Sequence, residues 1–297
     1  VVIRGLNVTP RGTWTLDHLA RTCGDVKVQL NTKSSKTTNW GGLVVAGNMP
    51  FSEFAREYAR NQTLRTWYLH DWSLNNHCPA VFGPPPYDEF VMPKYFAGDY
   101  FQRVPWIGYE QVWPSLFIGA KNTSSALHID SGATNFWMYL MTGRKKWRFW
   151  DREQAFNLYL KPMTPHFRFR AFDMNLTRNP LLADAPMYEV TQEPGDLVFV
   201  PASSPHAVFN EEDITAMSMN YVDSSNLWMY MHDLVSNADW EAIEQFDVSK
   251  EPFGLSRRQR DMTFGEWKSS RRTWEELVKK YRASKAFEED PVPLWLD

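Results

Sequence analysis

The chain has 297 residues, of which 43% are hydrophobic and 23% are charged, and its net charge at neutral pH is −3. This composition excludes an intrinsically disordered chain and argues against nucleic-acid binding through overall charge, although a local basic patch stays open. No stretch approaches the ~18 consecutive apolar residues of a membrane-spanning helix, so we expect a soluble protein without a membrane partner.

The first third of the chain predicts a mixture of helices and strands. Residues 14–22 and 51–60 have helical spacing, with Phe54 and Tyr58 on one face of the second helix. Residues 27–30 predict a short strand. We assign residues 1–95 to an N-terminal flank that packs on the β domain that follows.

Short strands dominate the middle of the chain. The candidate strands are residues 115–119, 136–141, 145–150, 196–200 and 215–222. Gly143 and the Pro194-Gly195 pair supply turns between them. Many short strands with such turns predict a mainly β sandwich or barrel over residues 96–222.

The C-terminal region, residues 223–297, predicts a helical extension. Its clearest helix carries an apolar stripe at helical spacing, formed by Trp274, Leu277, Val278 and Tyr281. Basic residues outnumber acidic ones over residues 256–285, which would suit an acidic partner or nucleic acid. A solvated helix face is the favoured interpretation, because basic residues commonly coat amphipathic helices.

The cysteines and glycosylation sequons constrain the compartment weakly. Cys23 and Cys78 lie far apart and outside any Cys-x-x-Cys pattern, which suits a reducing compartment but permits one disulfide. Four Asn-x-Ser/Thr sequons, which leave a secretory route open, begin at Asn7, Asn61, Asn122 and Asn175. We expect the nucleus or cytoplasm ahead of the secretory pathway.

Three residues have the spacing of a metal site. His128 and Asp130 are two residues apart, so on a strand both would point to the same face. His206 follows the candidate strand 196–200, where a turn would return its imidazole to the barrel mouth. A histidine alone is usually a core or surface residue, but two histidines and one carboxylate leave coordination positions open, as in non-haem Fe(II) oxygenases.

Residues 125–147 and 196–220 resemble the Jumonji C domain, a double-stranded β-helix of cupin type. The similarity is closest to the protein lysyl-hydroxylase branch of the phosphatidylserine-receptor type. The resemblance implies Fe(II), held by His128, Asp130 and His206, with 2-oxoglutarate and O2 as cosubstrates. It also implies a mainly β fold with N-terminal and C-terminal helical additions.

The same resemblance implies a set of cosubstrate-binding residues. Lys145 matches the lysine that pairs with the distal carboxylate of 2-oxoglutarate, and Ser125 matches a hydroxyl on the same carboxylate. Ser218 and Asn220 fall on two polar positions of the cosubstrate pocket, and their alternation with apolar residues predicts a polar stripe inside the barrel. The sequence departs from the family pattern at Met138, where the phosphatidylserine-receptor type carries an asparagine.

The expected activity is hydroxylation of a protein side chain, with lysine as the leading target and with release of succinate and CO2. Two alternatives stay open, namely an N-methyl-lysine or N-methyl-arginine demethylase and a non-catalytic metal-binding cupin scaffold. The expected partners are a protein or peptide substrate and a second copy of the chain, because C-terminal helices of related hydroxylases often pair. Nucleic acid is not favoured as a partner.

Overall fold

The computed structural model describes residues 1–9, 14–34, 40–83, 90, 93–96, 99–101, 112–160 and 167–236. Its strands are β1 Val2–Ile3, β2 Lys27–Lys33, β3 Leu43–Pro50, β4 Trp67–Ser73, β5 Ser115–Gly119, β6 Ser124–His128, β7 Asn135–Thr142, β8 Lys145–Phe149, β9 Tyr188–Gln192, β10 Leu197–Val200, β11 His206–Asn210 and β12 Ile214–Tyr221. Its α-helices are α1 Leu16–Cys23, α2 Phe51–Tyr58, α3 Leu74–His77 and α4 Leu227–Ser236.

Two antiparallel sheets form the core of the fold. The larger sheet has the strand order β1-β10-β7-β12-β5-β4-β2-β3, and the smaller one has the order β6-β11-β8-β9. The four strands β10, β7, β12 and β5 stand against the four strands of the smaller sheet, which gives the two-sheet arrangement of a jelly roll. The predicted mainly β fold of cupin type is therefore confirmed.

Side-chain alternation along the central strands separates an inner from an outer core. Met138 and Leu140 of β7 pack with Trp147 of β8 and Val208 of β11 in a cluster that both sheets contribute to. Trp137, which lies between inward-facing residues of β7, packs in a different cluster on the outer face of the larger sheet. The strand period of two thus gives the barrel an apolar interior and a second buried face.

The N-terminal helices cover the outer face of the larger sheet. Leu19 of α1 and Phe51 and Phe54 of α2 are fully buried in the cluster that contains Trp137. α1 begins behind an N-cap, because the Thr15 hydroxyl accepts a hydrogen bond from the His18 backbone N–H at 3.2 Å. The two predicted N-terminal helices are thus present, with ends that differ by up to two residues from the sequence-based bounds.

The hairpin between β7 and β8 depends on one glycine. Gly143 has a φ of +80°, and a Cβ atom there would overlap the carbonyl oxygen of Asp213. The tight turn fixes the start of β8, so that Lys145 faces the barrel interior and Lys146 faces outward.

Cys23 and Cys78 form a disulfide, with their Cα atoms 5.6 Å apart. This is the one disulfide that the sequence permits. It joins the last residue of α1 to the residue that follows α3, and both cysteines are buried in the outer core. The bond therefore ties the helical flank to the segment directly after β4.

The C-terminal extension is described only as far as α4. Within the described residues, no helix is long and apolar enough to cross a membrane. The predicted helix with Trp274 and Tyr281 lies outside the described residues, so that helix and the predicted homodimer stay predictions. The domain boundaries after residues 95 and 222 also stay predictions.

Candidate active site

The three predicted metal ligands lie together at one end of the barrel. The Nε2 atom of His128 lies 3.6 Å from Oδ1 of Asp130, and Nε2 of His206 lies 3.9 Å from the same oxygen. The three ligand atoms all lie within 4.8 Å of one another. Two imidazoles and one carboxylate therefore face a common point, with the geometry of a facial triad.

Backbone carbonyls orient both imidazole rings. Nδ1 of His128 lies 2.6 Å from the carbonyl oxygen of Ala126, and Nδ1 of His206 lies 3.0 Å from that of Ser204. Because a carbonyl only accepts hydrogen bonds, each Nδ1 must carry the proton. Each Nε2 is then left with a lone pair that points at the common point, as a metal-ligating histidine requires.

The pairing of β6 with β11 puts Ser125 and His128 on the same face of the sheet. His206 stands opposite His128, but Val208 stands opposite Ser125, so β6 carries one extra residue between these pairs. This β-bulge lets two residues three positions apart both face inward. Sequence alternation alone would have placed them on opposite faces.

Asp130 reaches the site differently from the sequence-based expectation. Strand β6 ends at His128, so the carboxylate is not part of the ladder. Asp130 keeps extended dihedral angles, φ −67° and ψ 148°, and stands at the N-cap of a short 3-10 turn, Ser131–Ala133. The same-face argument therefore gives the right orientation, although the residue belongs to the loop after the strand.

Burial disfavours the charged forms of the triad side chains. Desolvation is the main cause that raises the pKa of Asp130, and desolvation followed by the charge of His206 lowers the pKa of His128. The Oδ2 atom of Asp130 is buried without a hydrogen-bond partner in the described part of the chain. An acceptor oxygen without a donor, beside two inward lone pairs, fits a divalent cation.

Lys145 is buried inside the barrel beyond the triad. Its side chain is 1% exposed, and its Nζ donates a hydrogen bond to the Tyr68 hydroxyl at 3.1 Å. Desolvation lowers its pKa to about 7, and no carboxylate forms an ion pair with it in the described part of the chain. Lys146, its neighbour, instead pairs with Glu189 at 3.0 Å on the outer surface. Lys145 is thus the lysine that needs an anionic ligand.

The other predicted cosubstrate residues also face the interior. Ser125 is buried, and Ser218 is 0% exposed with a hydroxyl that has no hydrogen-bond partner among the described residues. Ser218 stands opposite Met138 of β7, so the thioether occupies the inner wall where an asparagine was expected from the family pattern. Asn220 donates a hydrogen bond to the Thr134 hydroxyl at 2.8 Å.

A cavity of about 460 Å³ opens beside the triad. Asp130 and Asn220 form part of its wall, together with aromatic side chains such as Phe117 and Phe136. This volume lies in the range of ordinary small-molecule sites. The cavity therefore reaches the triad at the Asp130 side chain.

Strand β4 contributes three residues that sequence reasoning did not assign. Tyr68 lies at the inner end beside Lys145, and His70 and Asp71 line the cavity. Leu69 pairs with Ile118 and Trp72 with Leu116, so His70 and Asp71 together stand opposite one residue of β5. This bulge breaks the alternation by which a half-buried strand is recognised in sequence, so periodicity gave no signal.

His70 is neutral at physiological pH. Desolvation, followed by the charge of Lys145, lowers its pKa to about 3. Its ring packs edge-on against Phe117, with ring centroids 4.8 Å apart. His70 can therefore offer a neutral imidazole to a ligand in the cavity but no positive charge.

Comparison with known proteins gives one family match and several relatives that share a name. The sequence matches the family described as a cupin-like domain over residues 1–227. It is 27% identical over 261 residues to the 2-oxoglutarate and iron-dependent oxygenase JMJD4 of Homo sapiens, covering 81% of this chain and 58% of that protein. It is 26% identical over 257 residues to the protein of the same name from Gallus gallus, covering 81% of this chain and 57% of that protein.

A plant relative is named for a different activity. The arginine-specific demethylase JMJ20 of Arabidopsis thaliana is 26% identical over 199 residues, which cover 61% of this chain and 42% of that protein. The chain thus spans less than two thirds of the length of these relatives. The predicted resemblance to Jumonji C proteins is confirmed by these relatives. Because the family match covers most of the sequence, the chain belongs to the cupin-like domain family.

Proposed function

We propose that the chain is an Fe(II)- and 2-oxoglutarate-dependent dioxygenase that hydroxylates a protein side chain and releases succinate and CO2. One observation carries the proposal. Two imidazole Nε2 atoms and a buried carboxylate face one point, and the same barrel buries the Lys145 amine, which has no acidic partner among the described residues. The animal relatives are named as 2-oxoglutarate and iron-dependent oxygenases, which supports this proposal.

His128, Asp130 and His206 would hold the iron. Iron with bound 2-oxoglutarate and O2 supplies the oxidative decarboxylation and the hydroxylation of a nearby C–H bond. The protein's part is to bind and orient. The Ala126 and Ser204 carbonyls keep both Nδ1 atoms protonated, so the lone pairs of both Nε2 atoms stay available.

In this proposal, Lys145, Tyr68 and Ser125 would bind the distal carboxylate of 2-oxoglutarate. The Lys145 ammonium would give a charge-assisted hydrogen bond, and the two hydroxyls would each donate a neutral one. The unpartnered Ser218 hydroxyl is a further donor on the inner wall. Met138 and the surrounding apolar cluster would exclude water from a bound cosubstrate, which would strengthen each polar contact.

Demethylation is the second candidate, because one relative is named an arginine-specific demethylase. Hydroxylation of an N-methyl carbon gives a hemiaminal that releases formaldehyde, so the same triad serves both reactions. If the chain is a hydroxylase, lysine is the leading target side chain. Formaldehyde release from methylated lysine or arginine peptides would separate the two activities.

The purified chain with Fe(II) should convert 2-oxoglutarate to succinate and CO2, and the turnover should increase when a suitable protein is present. Release of labelled CO2 measures the reaction, and mass spectrometry of lysate proteins should find a gain of one oxygen. A His206→Ala variant that retains its fold supplies the negative control. Absence of succinate with every protein fraction tested would favour a non-catalytic metal-binding scaffold.

The affinity for 2-oxoglutarate should fall as the pH rises above about 7. Lys145 in the free protein has a pKa of about 7 because of its burial, and an anionic partner would favour its protonated form. Binding therefore takes up a proton at higher pH, and the dissociation constant should rise by up to about tenfold per pH unit. Calorimetry of the Mn(II)-loaded protein between pH 6.5 and 8.5 measures this dependence.

A Lys145→Arg variant is the matched control for that titration, because a guanidinium stays protonated throughout the range. Its affinity for 2-oxoglutarate should not change with pH above 7. A native protein with pH-independent affinity would show that Lys145 does not gain a proton on binding.

A further inference from the structure

Two of the four glycosylation sequons lie wholly on the surface of the fold. Residues 61–63 come shortly after helix α2, residues 175–177 lie between β8 and β9, and every residue of both sequons is exposed. The other two sequons end in buried hydroxyl residues, since Thr9 and Ser124 are only 7% and 6% exposed. Because an N-linked glycan is bulky and needs a surface position, the two exposed sequons are the ones that the folded chain accommodates best.

The asparagine side chains of these two sequons are held by one end only. Oδ1 of Asn61 accepts hydrogen bonds from the backbone N–H groups of Thr63 at 2.9 Å and Leu64 at 3.3 Å. Oδ1 of Asn175 accepts one from the backbone N–H of Arg178 at 2.9 Å. Neither Nδ2 atom donates a hydrogen bond to any residue that the structure describes. The turns therefore fix both side chains and leave free the nitrogen to which an N-linked glycan is joined.

The surface next to Asn175 also contains apolar side chains that nothing covers in the described part of the chain. Met174 and Leu176, its two neighbours, are 37% and 55% exposed. A sugar chain on Nδ2 of Asn175 would shield both side chains from water and would keep this loop soluble.

The disulfide is an independent indication of the compartment. Cys23 and Cys78 are the two cysteines of the chain, and both are in the disulfide, so no thiol stays free. The bond lies inside the outer core, as a structural rather than a catalytic disulfide does. Disulfides persist in oxidising compartments and are rare in the nucleus and the cytosol. The sequence alone favoured the nucleus or cytoplasm, but the disulfide and the exposed sequons together favour the secretory pathway.

We propose that the chain matures in the secretory pathway, where Asn61 and Asn175 receive N-linked glycans and Cys23 is oxidised with Cys78. In the transfer, Nδ2 of the asparagine forms a bond to C1 of the first sugar of a lipid-diphosphate-linked oligosaccharide. The bond from C1 to the diphosphate oxygen breaks, one Nδ2 proton is lost, and the lipid diphosphate leaves. The two thiols lose two protons and two electrons, and a disulfide-donating oxidoreductase of the same compartment accepts them.

The direct test uses the natural protein, isolated from the cells that produce it. Free thiols are alkylated first, and an amidase that removes N-linked glycans is then applied in heavy-oxygen water. Mass spectrometry should find the heavy-oxygen label at Asn61 and at Asn175, and unreduced peptides should contain Cys23 linked to Cys78. A missing label at either asparagine would overturn its assignment, and alkylated cysteines would overturn the proposed compartment.

Threonine variants test each sequon without disturbing its turn. Thr63→Ala and Thr177→Ala remove the sequons but keep the asparagines and their hydrogen bonds, whereas a change of the asparagine would remove both. Each variant of the full chain, secreted from cultured cells, should lose the mass of one glycan. Thr63→Ser and Thr177→Ser preserve the sequons and should keep both glycans.

Asn179→Gln is the matched control, because it changes an asparagine close to Asn175 that belongs to no sequon. It should retain both glycans, and thermal unfolding shows whether each variant is folded. Electrophoresis before and after glycan removal measures the number of sugar chains. A folded Thr63→Ala or Thr177→Ala variant with the full glycan mass would overturn the assignment of that site.

Discussion

His128→Ala and Asp130→Ala should each abolish 2-oxoglutarate turnover and weaken Mn(II) binding by at least about a hundredfold. Loss of a residue that only supports a metal ligand typically costs 10–100-fold in affinity, so loss of the ligand itself should cost no less. Each substitution removes one of three ligand atoms that lie within 4.8 Å of one another. Isothermal titration with Mn(II) and release of labelled CO2 measure the two effects.

The fold should survive both substitutions. Removing the Asp130 carboxylate also removes a buried acceptor without a hydrogen-bond partner, so we expect the metal-free variant to be at least as stable as the metal-free native protein. His18→Ala, in helix α1 and outside the site, is the matched histidine control and should retain activity. Native metal affinity in either ligand variant would rule out the assignment.

Lys145→Ala should weaken the binding of 2-oxoglutarate at least about thirtyfold, since the distal carboxylate would lose a charge-assisted bond worth ~2 kcal/mol or more in a buried setting. The affinity for Mn(II) should change little, because Lys145 is not one of the three metal ligands. Calorimetry with 2-oxoglutarate on the Mn(II)-loaded protein gives both quantities.

Lys146→Ala is the matched control for this substitution. Lys146 is the next residue of β8, but it points outward to Glu189, so its removal should leave 2-oxoglutarate binding unchanged. Ser125→Ala should give a loss of about fivefold, as expected for one neutral hydrogen bond of ~1 kcal/mol. Equal affinities in Lys145→Ala and the native protein would show that the buried amine serves only the packing of the barrel.

Strand alternation explains why much of the barrel was predictable from the sequence. Residues 115–119 match β5 in full, and the other predicted strands match β7, β8, β10 and β12 to within one residue at each end. These strands are buried on at least one face, so their apolar pattern is strongly constrained. Strand β1 has only two residues, and strand β9 has an exposed outer face. Neither shows enough apolar alternation to be recognised in the sequence.

The site was predictable where the family pattern applied and not where the backbone departs from regular geometry. His128 and His206 were identified by resemblance, and the structure supplies the physical reason, since they stand opposite each other on paired strands. The β4 residues Tyr68 and Asp71 were missed, because they precede the triad by more than fifty positions and Asp71 lies within a bulge. Chain topology, which brings β4 beside β5, joins them to the site.

The extra residue in β4 separates two regularly paired parts of that strand. Tyr68 stays aligned with Gly119, and Trp72 with Leu116, whichever side chains occupy positions 70 and 71. Mutations at these two positions can therefore change what enters the cavity without shifting the tyrosine that contacts Lys145. A relative with one residue fewer here would have a regular strand and one side chain fewer at the cavity wall. Inserting or deleting one residue here would therefore change the cavity wall as a replacement does.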